Sequence, residues 1–347
     1  MIRDFGRQAA FLGAVCLLLS GCSGEGGIGQ TAETTGQGRP GQEEQTEKGG
    51  LIKVGFSQLG EESDWRIACT ESIKSALTEA NGFDLLFDDA QQKQENQLKA
   101  IRNFILQDAD YIVLSPLVES GWDSALEEAK KAKIPVITSD RMVDAPKDLY
   151  TCFVGADFVK EGERCGRWLE DCLEKQGRAD EDIRIVTLEG TVGSSPQLGR
   201  TEGFANIMKA HPNWHMIAEE NGDFTLAKGK EVMEQYLNRY NNIDVVVSQN
   251  DNMTFGAIDA IQEAGKTCGP DGEMIILSFD AVSAAFDAMI DGDLNADFEC
   301  NPLHGPRVSE TIRKLENGEK VAREQYVDET YFDTTMDLKQ IKADREY

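Results

Sequence analysis

The sequence is poor in histidine and in positive charge. Its 347 residues include three histidines, and 35 Lys and Arg stand against 62 Asp and Glu, a formal net charge of −27. So few histidines leave little room for a multi-histidine metal site. A surface this negative repels phosphate backbones and anionic lipids, so nucleic acid is a poor partner and a polybasic membrane anchor is excluded.

The signature loops of several enzyme classes are also missing. No dinucleotide-binding or phosphate-binding glycine loop follows any predicted strand, and Ser194 and Ser195 lack the G-x-S-x-G elbow of hydrolases. His211 and His215 have the spacing of a helical metal pair, but Pro212 lies between them and predicts a loop. We therefore expect a binding protein without a catalytic group, a cofactor or a metal ion.

The apolar run near the N-terminus is short. It extends from Ala9 to Leu19, too few residues to span a bilayer but enough for a signal-peptide core. Leu19-Ser20-Gly21-Cys22 follows and resembles the lipobox of bacterial lipoproteins, in which the chain is cut before the cysteine and the thiol is diacylated. An ordinary secretory signal is the alternative. We expect residues 1–22 to be a lipoprotein signal peptide, with two acyl chains on Cys22 that anchor the protein to the outside of the cell membrane.

The segment 23–50 has the composition of a linker. It contains nine glycines among 28 residues, and its only aliphatic side chains are Ile28 and Ala32. Such a segment cannot bury enough apolar surface to offset the entropy of ordering the chain. We expect a disordered tether between the lipid anchor and a folded body.

The six cysteines after Cys22 show no C-x-x-C spacing, which excludes thioredoxin-like and most zinc sites. Cys165 and Cys172 fall on one predicted helix, about 10 Å apart along its axis and beyond disulfide reach. We interpret most of the six as small buried hydrophobic residues, and the sequence leaves open whether any pair forms a disulfide. They are Cys69, Cys152, Cys165, Cys172, Cys268 and Cys300.

From residue 51 onward, short apolar runs alternate with helical patterns. Continuous runs of β-branched residues are typical of parallel strands that are buried on both faces. Repeated strand–helix units predict an α/β fold, and roughly ten strands are more than one such sheet usually holds, so we expect two lobes. The predicted strands are 51–57, 85–88, 111–114, 134–138, 183–188, 243–248 and 274–278, and the predicted helices are 91–106, 158–173, 196–209, 226–239, 253–264 and 283–290.

Ligands of such sheets bind beyond the carboxyl ends of the strands, and several strand ends in this sequence carry polar side chains. Trp65 begins a helix after the first strand, and Asp140 and Arg141 follow the fourth. A carboxylate beside a guanidinium can hold adjacent sugar hydroxyls through charge-assisted hydrogen bonds, whereas a surface ion pair is the simpler alternative. Polar strand ends without a nucleophile and base predict a polyol-binding cleft.

Several of these segments resemble the type 1 periplasmic sugar-binding proteins of ABC transporters, and within that family the members that bind galactofuranose. The motifs that carry the resemblance are FSQLGEESDWR, DAQQKQENQ, SPLVESGW, SDR, EGTVGSS, GDFT and QNDNM. The resemblance spans about residues 52–335. It implies two Rossmann-like lobes with parallel sheets, joined by a three-strand hinge, that hold a sugar between them. The implied lobes are 51–155 plus 302–329, and 156–301 plus 330–347.

The resemblance also implies ligand contacts from both lobes. Those of the first lobe are Glu62, Ser63, Trp65, Arg66, Asp140 and Arg141, with Asp157 just after the first crossing. Those of the second lobe are Arg200, Phe224, Asn250 and Asp280, with Glu299 or Cys300 near the second crossing. This sequence departs from the family at three places. Asp64 stands where similar proteins more often carry Gly, Ala281 rather than Gly follows Asp280, and the stretch after Glu299 is one residue shorter, so the choice between Glu299 and Cys300 stays open.

The function that follows is capture of a monosaccharide by a monomeric lipoprotein that delivers it to an ABC permease. A sugar sensor that presents its ligand to a membrane receptor kinase is the alternative, and the sequence does not separate the two. Glu62 and Arg66 are long enough to reach hydroxyls on the exocyclic arm of a hexofuranose, whereas a pyranose puts those atoms inside its ring. We therefore expect galactofuranose or a related furanose, such as arabinofuranose, as the ligand.

Overall fold

The computed structural model describes residues 50–347, in which twelve strands alternate with ten α-helices. The predictions for the signal peptide, for Cys22 and for the tether up to residue 49 lie outside the described residues. The strands are β1 (Ile52–Gln58), β2 (Phe83–Asp89), β3 (Tyr111–Leu114), β4 (Val136–Ser139), β5 (Cys152–Gly155), β6 (Ile183–Glu189), β7 (Trp214–Asn221), β8 (Val245–Ser248), β9 (Ile275–Asp280), β10 (Ala296–Glu299), β11 (Glu324–Tyr326) and β12 (Tyr331–Asp333). The helices are α1 (Asp64–Ala76), α2 (Gln94–Leu106), α3 (Asp123–Lys131), α4 (Phe158–Lys175), α5 (Ser195–Met208), α6 (Leu226–Arg239), α7 (Asp251–Glu263), α8 (Ser283–Asp291), α9 (Gly305–Glu316) and α10 (Leu338–Ala343).

The strands form two sheets of six. Their orders are β2-β1-β3-β4-β5-β11 and β7-β6-β8-β9-β10-β12. The chain passes from the first sheet to the second after β5, returns after β10, and passes over again after β11. The prediction of an α/β fold with two sheets is confirmed, with one difference: β12 runs antiparallel to β10, while the other paired strands are parallel. The lobe boundaries given above stay predictions, and we use "first lobe" and "second lobe" for the elements around each sheet.

Each sheet is buried on both faces, as the apolar runs predict. In β3, Val113 packs into one hydrophobic cluster of the first lobe, and Ile112 and Leu114 pack into the cluster on the other face. In β8, Val246 packs on one face, and Val245 on the other. Because successive side chains of a strand point to opposite faces, a strand between two helical layers needs an apolar residue at every position.

Several elements differ from their predicted bounds. The helix predicted from residue 91 begins at Gln94, because Gln91 and Gln92 have left-handed φ angles of 54° and 56°. The Asp89 carboxylate accepts the Gln91 N–H at 2.9 Å and so stabilises a turn there. The helix predicted at 226–239 coincides with α6. Strands β5, β7, β10, β11 and β12 are not among the seven predicted strands. None of the helices within residues 50–347 is long and apolar enough to cross a membrane.

Helices α4 and α5 approach each other closely, and two glycines allow it. A Cβ on Gly203 of α5 would lie 2.0 Å from the carbonyl oxygen of Val159 on α4. A Cβ on Gly162 of α4 would lie 2.3 Å from the carbonyl oxygen of Arg200 on α5. Any larger residue at either position would therefore push the helices apart, and it would move Arg200 with them.

The six cysteines within the described residues are free thiols. Five are buried and Cys172 is half-buried, which agrees with their interpretation as small hydrophobic residues. His211 lies in the loop after α5 and stacks on Trp214 with ring centroids 4.2 Å apart. His215 lies on β7 with its Nε2 2.9 Å from Asp182 Oδ1. The two histidines therefore have separate partners.

The third histidine, His304, is buried in the first lobe behind Trp65. Its ring meets the Trp65 ring edge-on, with centroids 5.9 Å apart, and its Nδ1 lies 3.3 Å from Ser139 Oγ. Burial lowers the pKa of His304 to about 4, against the opposing charge of Asp140. The histidine is therefore neutral in the folded protein at neutral pH.

This burial predicts a loss of stability as the pH falls. The unfolded chain binds a proton on His304 near pH 6.5 and the folded chain only near pH 4, so the folded state loses stability between these values. For this one group the free energy of unfolding falls by about 2 kcal/mol from pH 7 to pH 5. His304→Phe keeps a ring against Trp65 and removes the titration, so urea unfolding should show a pH-dependent loss that is smaller by this amount. His215→Gln, at an exposed position, should behave as the wild type. Equal losses in the wild type and His304→Phe would show that the folded protein protonates His304 without penalty.

Candidate ligand-binding site

A cavity lies where the carboxyl ends of the two sheets face each other. It encloses about 270 Å³ of non-atom space, open solvent included, of which about 20 Å³ can be occupied by the centre of a water molecule. Most of the predicted contact residues line it, and Asp157 and Glu299 do not. The lining residues are Glu62, Ser63, Trp65, Arg66, Asp140 and Arg141 from the first lobe, and Phe158, Pro196, Arg200, Phe224, Asn250, Asp280 and Cys300 from the second lobe and the crossings.

The loop before α1 and the first turn of α1 together supply four of these residues, because α1 begins at the cavity. Ser63 is the N-cap of α1, and its hydroxyl accepts the Arg66 N–H at 3.1 Å. This cap fixes the first turn, so that Trp65 and Arg66 both line the cavity. Glu62 precedes the cap, and its Oε1 accepts a hydrogen bond from Arg66 Nε at 2.9 Å.

Two carboxylates and two guanidinium groups of the first lobe form one buried network. Arg66 Nη1 lies 2.5 Å from Asp140 Oδ2, and Arg141 lies 3.8 Å from both Glu62 and Asp140. Burial opposes the charge of Arg66, yet Asp140 and Glu62 raise its pKa above the ordinary value. Burial, and then the positive charge of Arg66, lower the pKa of Arg141 to about 10. Both guanidinium groups therefore stay charged at neutral pH.

The second lobe presents Arg200 from α5. Its Nε lies 2.7 Å from Glu161 Oε2, its Nη2 lies 3.4 Å from Asp280 Oδ1, and its Nη1 donates to the Gln249 carbonyl. Burial opposes the charge of Arg200, but Glu161 and Asp280 raise its pKa above the ordinary value. Burial raises the pKa of Asp280 well above its ordinary value, although Arg200 opposes this shift. Glu161 lies nearer to Arg200 than Asp280 does, although burial also raises the pKa of Glu161 above its ordinary value.

Asp280 ends β9 in a strained turn. Its φ is 109°, and the φ of the following Ala281 is 59°, where a glycine would relax the backbone. Two buried carboxyl groups hold this turn. Asp297 Oδ1 accepts the Ala281 N–H at 3.1 Å, and Asp251 Oδ2 accepts the Val282 N–H at 2.8 Å. The departure from glycine noted in the sequence is therefore accommodated by hydrogen bonds to the backbone.

Aromatic rings from both lobes form the apolar walls. Trp65 donates from its Nε1 to the carbonyl oxygen of Cys300 at 2.5 Å, which fixes the indole. The Arg141 guanidinium lies 5.3 Å from the centre of the Phe224 ring, and the Arg200 guanidinium lies 5.5 Å from that of Phe158. Rings beside charged donors and acceptors can contact the C–H groups of a sugar while the polar groups bind its hydroxyls.

Asp157 and Glu299 have other partners. Asp157 caps α4, accepts the Lys160 N–H at 3.2 Å and lies 2.7 Å from Lys160 Nζ. Glu299 accepts hydrogen bonds from Arg345 at 3.1 Å and from the Tyr347 hydroxyl at 3.0 Å. Of the two residues that the sequence left open, Cys300 lines the cavity and Glu299 does not. Phe158 and Pro196 also line it, and no feature of the sequence pointed to them.

Among the residues that the structure describes, one cluster has ligand atoms suited to a metal ion. An oxygen of Glu161, the thiol of Cys300 and an oxygen of Glu329 lie within 4.8 Å of one another. Arg200 already neutralises Glu161, and the Asn301 N–H donates to Glu329 at 3.0 Å. Burial, and then the Glu161 charge, raise the pKa of Glu329, so that Glu329 is protonated at neutral pH. The positive charge of Arg200 and the proton on Glu329 thus balance the charge of the carboxyl groups in this cluster.

The charges around the cavity are balanced. Three guanidinium groups, those of Arg66, Arg141 and Arg200, face the carboxylates of Glu62, Asp140 and Glu161. Within residues 50–347, Glu62 Oε2 and Arg141 Nε are buried and have no hydrogen-bond partner. A neutral ligand with several hydroxyl groups would satisfy such atoms without disturbing the charge balance.

Comparisons with known proteins agree with this geometry. The galactofuranose-binding protein YtfQ of Escherichia coli is 45% identical over 260 residues, which cover 74% of this chain and 79% of that protein. A crystal structure from Mycobacterium smegmatis in complex with β-D-fucofuranose superposes with a TM-score of 0.81 at 44% identity, over 86% of this chain and 96% of the other. The binding protein of the arabinose ABC transporter of Shewanella sp. ANA-3, bound to α- and β-L-arabinofuranose, superposes with a TM-score of 0.79 at 40% identity, over 85% and 95%.

The model of the periplasmic binding protein domain matches residues 54–299. This range begins in β1 and ends with β10, so it includes five strands of each sheet and every lining residue except Cys300. Such proteins bind ligands outside the cytoplasm and are not enzymes, which confirms the predicted class and the extracytoplasmic location. The lipid anchor stays a prediction. The chain belongs to the periplasmic binding protein family.

Proposed function

We propose that this protein captures a monosaccharide in its furanose form between the two lobes and delivers it to an ABC permease. The observation that carries the proposal is the buried, charge-balanced network of Glu62, Arg66, Asp140 and Arg141, which leaves polar atoms for ligand hydroxyls. The second lobe would complete the site with Arg200, Asn250 and Asp280. A sugar held by both lobes would hold them together.

The ring form is supported by the relatives. One of the three proteins compared above is named for galactofuranose, and the other two are bound to fucofuranose and to arabinofuranose. These sugars differ but share a five-membered ring. In the cavity, Glu62 and Arg66 come from the same turn and would bind hydroxyls on the arm outside the ring. A pyranose would leave those buried groups partly unpaired, at about 1–3 kcal/mol for each.

The N-terminal segments complete the proposal. We propose that cleavage precedes Cys22, that two acyl chains on its sulfur hold the protein at the membrane, and that residues 23–50 tether a monomeric body. The support is the sequence Leu19-Ser20-Gly21-Cys22 and the glycine content of the following segment. Delivery to a membrane permease requires the body to reach that permease, which a flexible tether allows.

The proposal predicts that sugar binding depends on the network of Glu62, Arg66, Asp140 and Arg141. Asp140→Asn removes one charge and leaves Arg66 and Arg141 with a single carboxylate between them, so sugar affinity should fall about 10- to 100-fold, or about 1.5–3 kcal/mol. Asp157→Asn is the matched control, because Asp157 lies outside the cavity, and its affinity should equal that of the wild type. Titration calorimetry and thermal unfolding on each variant separate binding from folding. Wild-type affinity in a folded Asp140→Asn variant would exclude this cavity as the sugar site.

The second prediction concerns the ring. Calorimetry with methyl galactofuranoside and methyl galactopyranoside, which cannot interconvert, should show binding of the furanoside that is tighter by about 10²- to 10⁴-fold, because the pyranoside leaves two buried polar groups unpaired. L-arabinose carries no methyl group, so its binding shows whether a failure of both glycosides comes from their methyl group. Equal or tighter binding of the pyranoside would contradict the furanose assignment and leave sugar binding intact.

The third prediction concerns the anchor. Cys22→Ala removes the sulfur that both acyl chains need, so the protein should appear in the released fraction instead of the membrane fraction. Cell fractionation with an immunoblot measures this, and Cys69→Ala controls for the loss of a cysteine elsewhere. A Cys22→Ala protein that still sediments with membranes would show that the anchor lies elsewhere.

A further inference from the structure

Two residues that do not line the cavity meet across the cleft above it. Asp64 is the first residue of α1 in the first lobe, and Asn252 is the second residue of α7 in the second lobe. The Asp64 N–H donates to Asn252 Oδ1 at 3.2 Å, and Asn252 Nδ2 donates to Asp64 Oδ2 at 3.3 Å. Asp64 is exposed and Asn252 half-buried, while the nearby Trp65 and Asn250 line the cavity. The pair therefore lies on the solvent side of the ligand.

The pair uses the ends of two helices. The first N–H groups of a helix have no partner within that helix, and its N-terminus is partly positive. The side chains of Ser63 and Asn250 accept the backbone N–H groups of Arg66 and Met253 in their own helices. The Asp64 N–H is satisfied by Asn252 from the opposite lobe, and the Asp64 carboxylate lies near the positive ends of both helices. Of the two bonds, only the one that Asn252 donates depends on the Asp64 side chain.

Other hydrogen bonds also join the lobes. The Glu119 N–H donates to the Gly193 carbonyl at 2.9 Å, and the Met142 N–H donates to Ser195 Oγ at 2.9 Å. Each of these is a single hydrogen bond that a backbone N–H donates. Asp64 and Asn252 instead exchange two bonds, both of which involve the Asn252 carboxamide. One substitution, at Asn252, therefore removes the whole contact without altering the cavity.

We propose that Asp64 and Asn252 form a latch that lengthens the residence time of the bound sugar without touching it. The inference rests on the function proposed above. Both bonds exist only when the lobes are closed, so losing them destabilises the closed form alone. The dissociation rate should then rise, whereas the association rate, which depends on the fraction of open form, should not fall. Since the latch does not contact the ligand, the factor should be the same for every sugar that binds.

The test is stopped-flow measurement of both rate constants, with L-arabinose and methyl galactofuranoside as probes and intrinsic tryptophan fluorescence as the signal. Asp64→Ala removes one bond and should raise the dissociation rate about two- to tenfold. Asn252→Ala removes both bonds and should raise it further, and the double variant should match Asn252→Ala. Asp123→Ala is the matched control, because Asp123 is the exposed first residue of α3 in the same lobe, and its rates should equal those of the wild type.

The outcomes are separable. Wild-type dissociation rates in Asn252→Ala, or a change that appears only in the association rate, would overturn the latch while sugar binding stands. A wild type that binds none of the sugars would overturn the proposed function instead. The latch is then judged by small-angle scattering without sugar, where Asn252→Ala should have a larger radius of gyration than the wild type. Equal radii would overturn it.

Discussion

The guanidinium groups of Arg66, Arg141 and Arg200 around the cavity lie almost out of contact with water, and each would cost several kcal/mol of folding free energy without an anion beside it. Their carboxylate partners come from other elements: Glu62 from the loop before α1, Asp140 from the end of β4, and Glu161 from α4. The pairs therefore fix how these elements sit around the cavity. A displaced α4 or β4 would leave a buried charge unpaired, so the geometry of the site and the stability of the fold depend on the same contacts.

The same contacts connect the site to the crossings between the lobes. Glu161 pairs with Arg200 in the cavity and lies beside Cys300 and Glu329, which belong to the second and third crossings. The Cys300 carbonyl in turn accepts the indole N–H of Trp65 from the first lobe. Residues that face the ligand from both lobes are thus bonded to the segments about which the lobes would turn. A change at the cavity can reach the hinge through direct contacts.

The sequence predicted those parts of the fold that depend on local pattern. The run 111–114 coincides with β3 and the run 226–239 with α6, because burial on two faces or on one stripe imposes a period that can be read from the residues. Strands β11 and β12 are three residues long and carry polar side chains, so only their pairing with β5 and β10 makes them strands. The resemblance and the strand ends together gave most of the lining residues. The sequence left Glu299 and Cys300 open because the stretch after Glu299 is one residue shorter than in similar proteins. The partners of Glu299, Arg345 and Tyr347, lie more than 40 residues away, and no local pattern marks them.

The balance of charge in the cavity has a consequence for how the ligand arrives. The chain carries a net charge of −27, and such a charge creates a field that extends about 10 Å into the surrounding salt solution. A sugar has no charge on which this field can act, so neither attraction nor repulsion guides it to the cleft. Encounter is then set by diffusion and by the fraction of time the lobes stand open. Capture of this kind proceeds at the same rate in dilute and in concentrated salt, which suits a protein that works outside the cell's buffered interior.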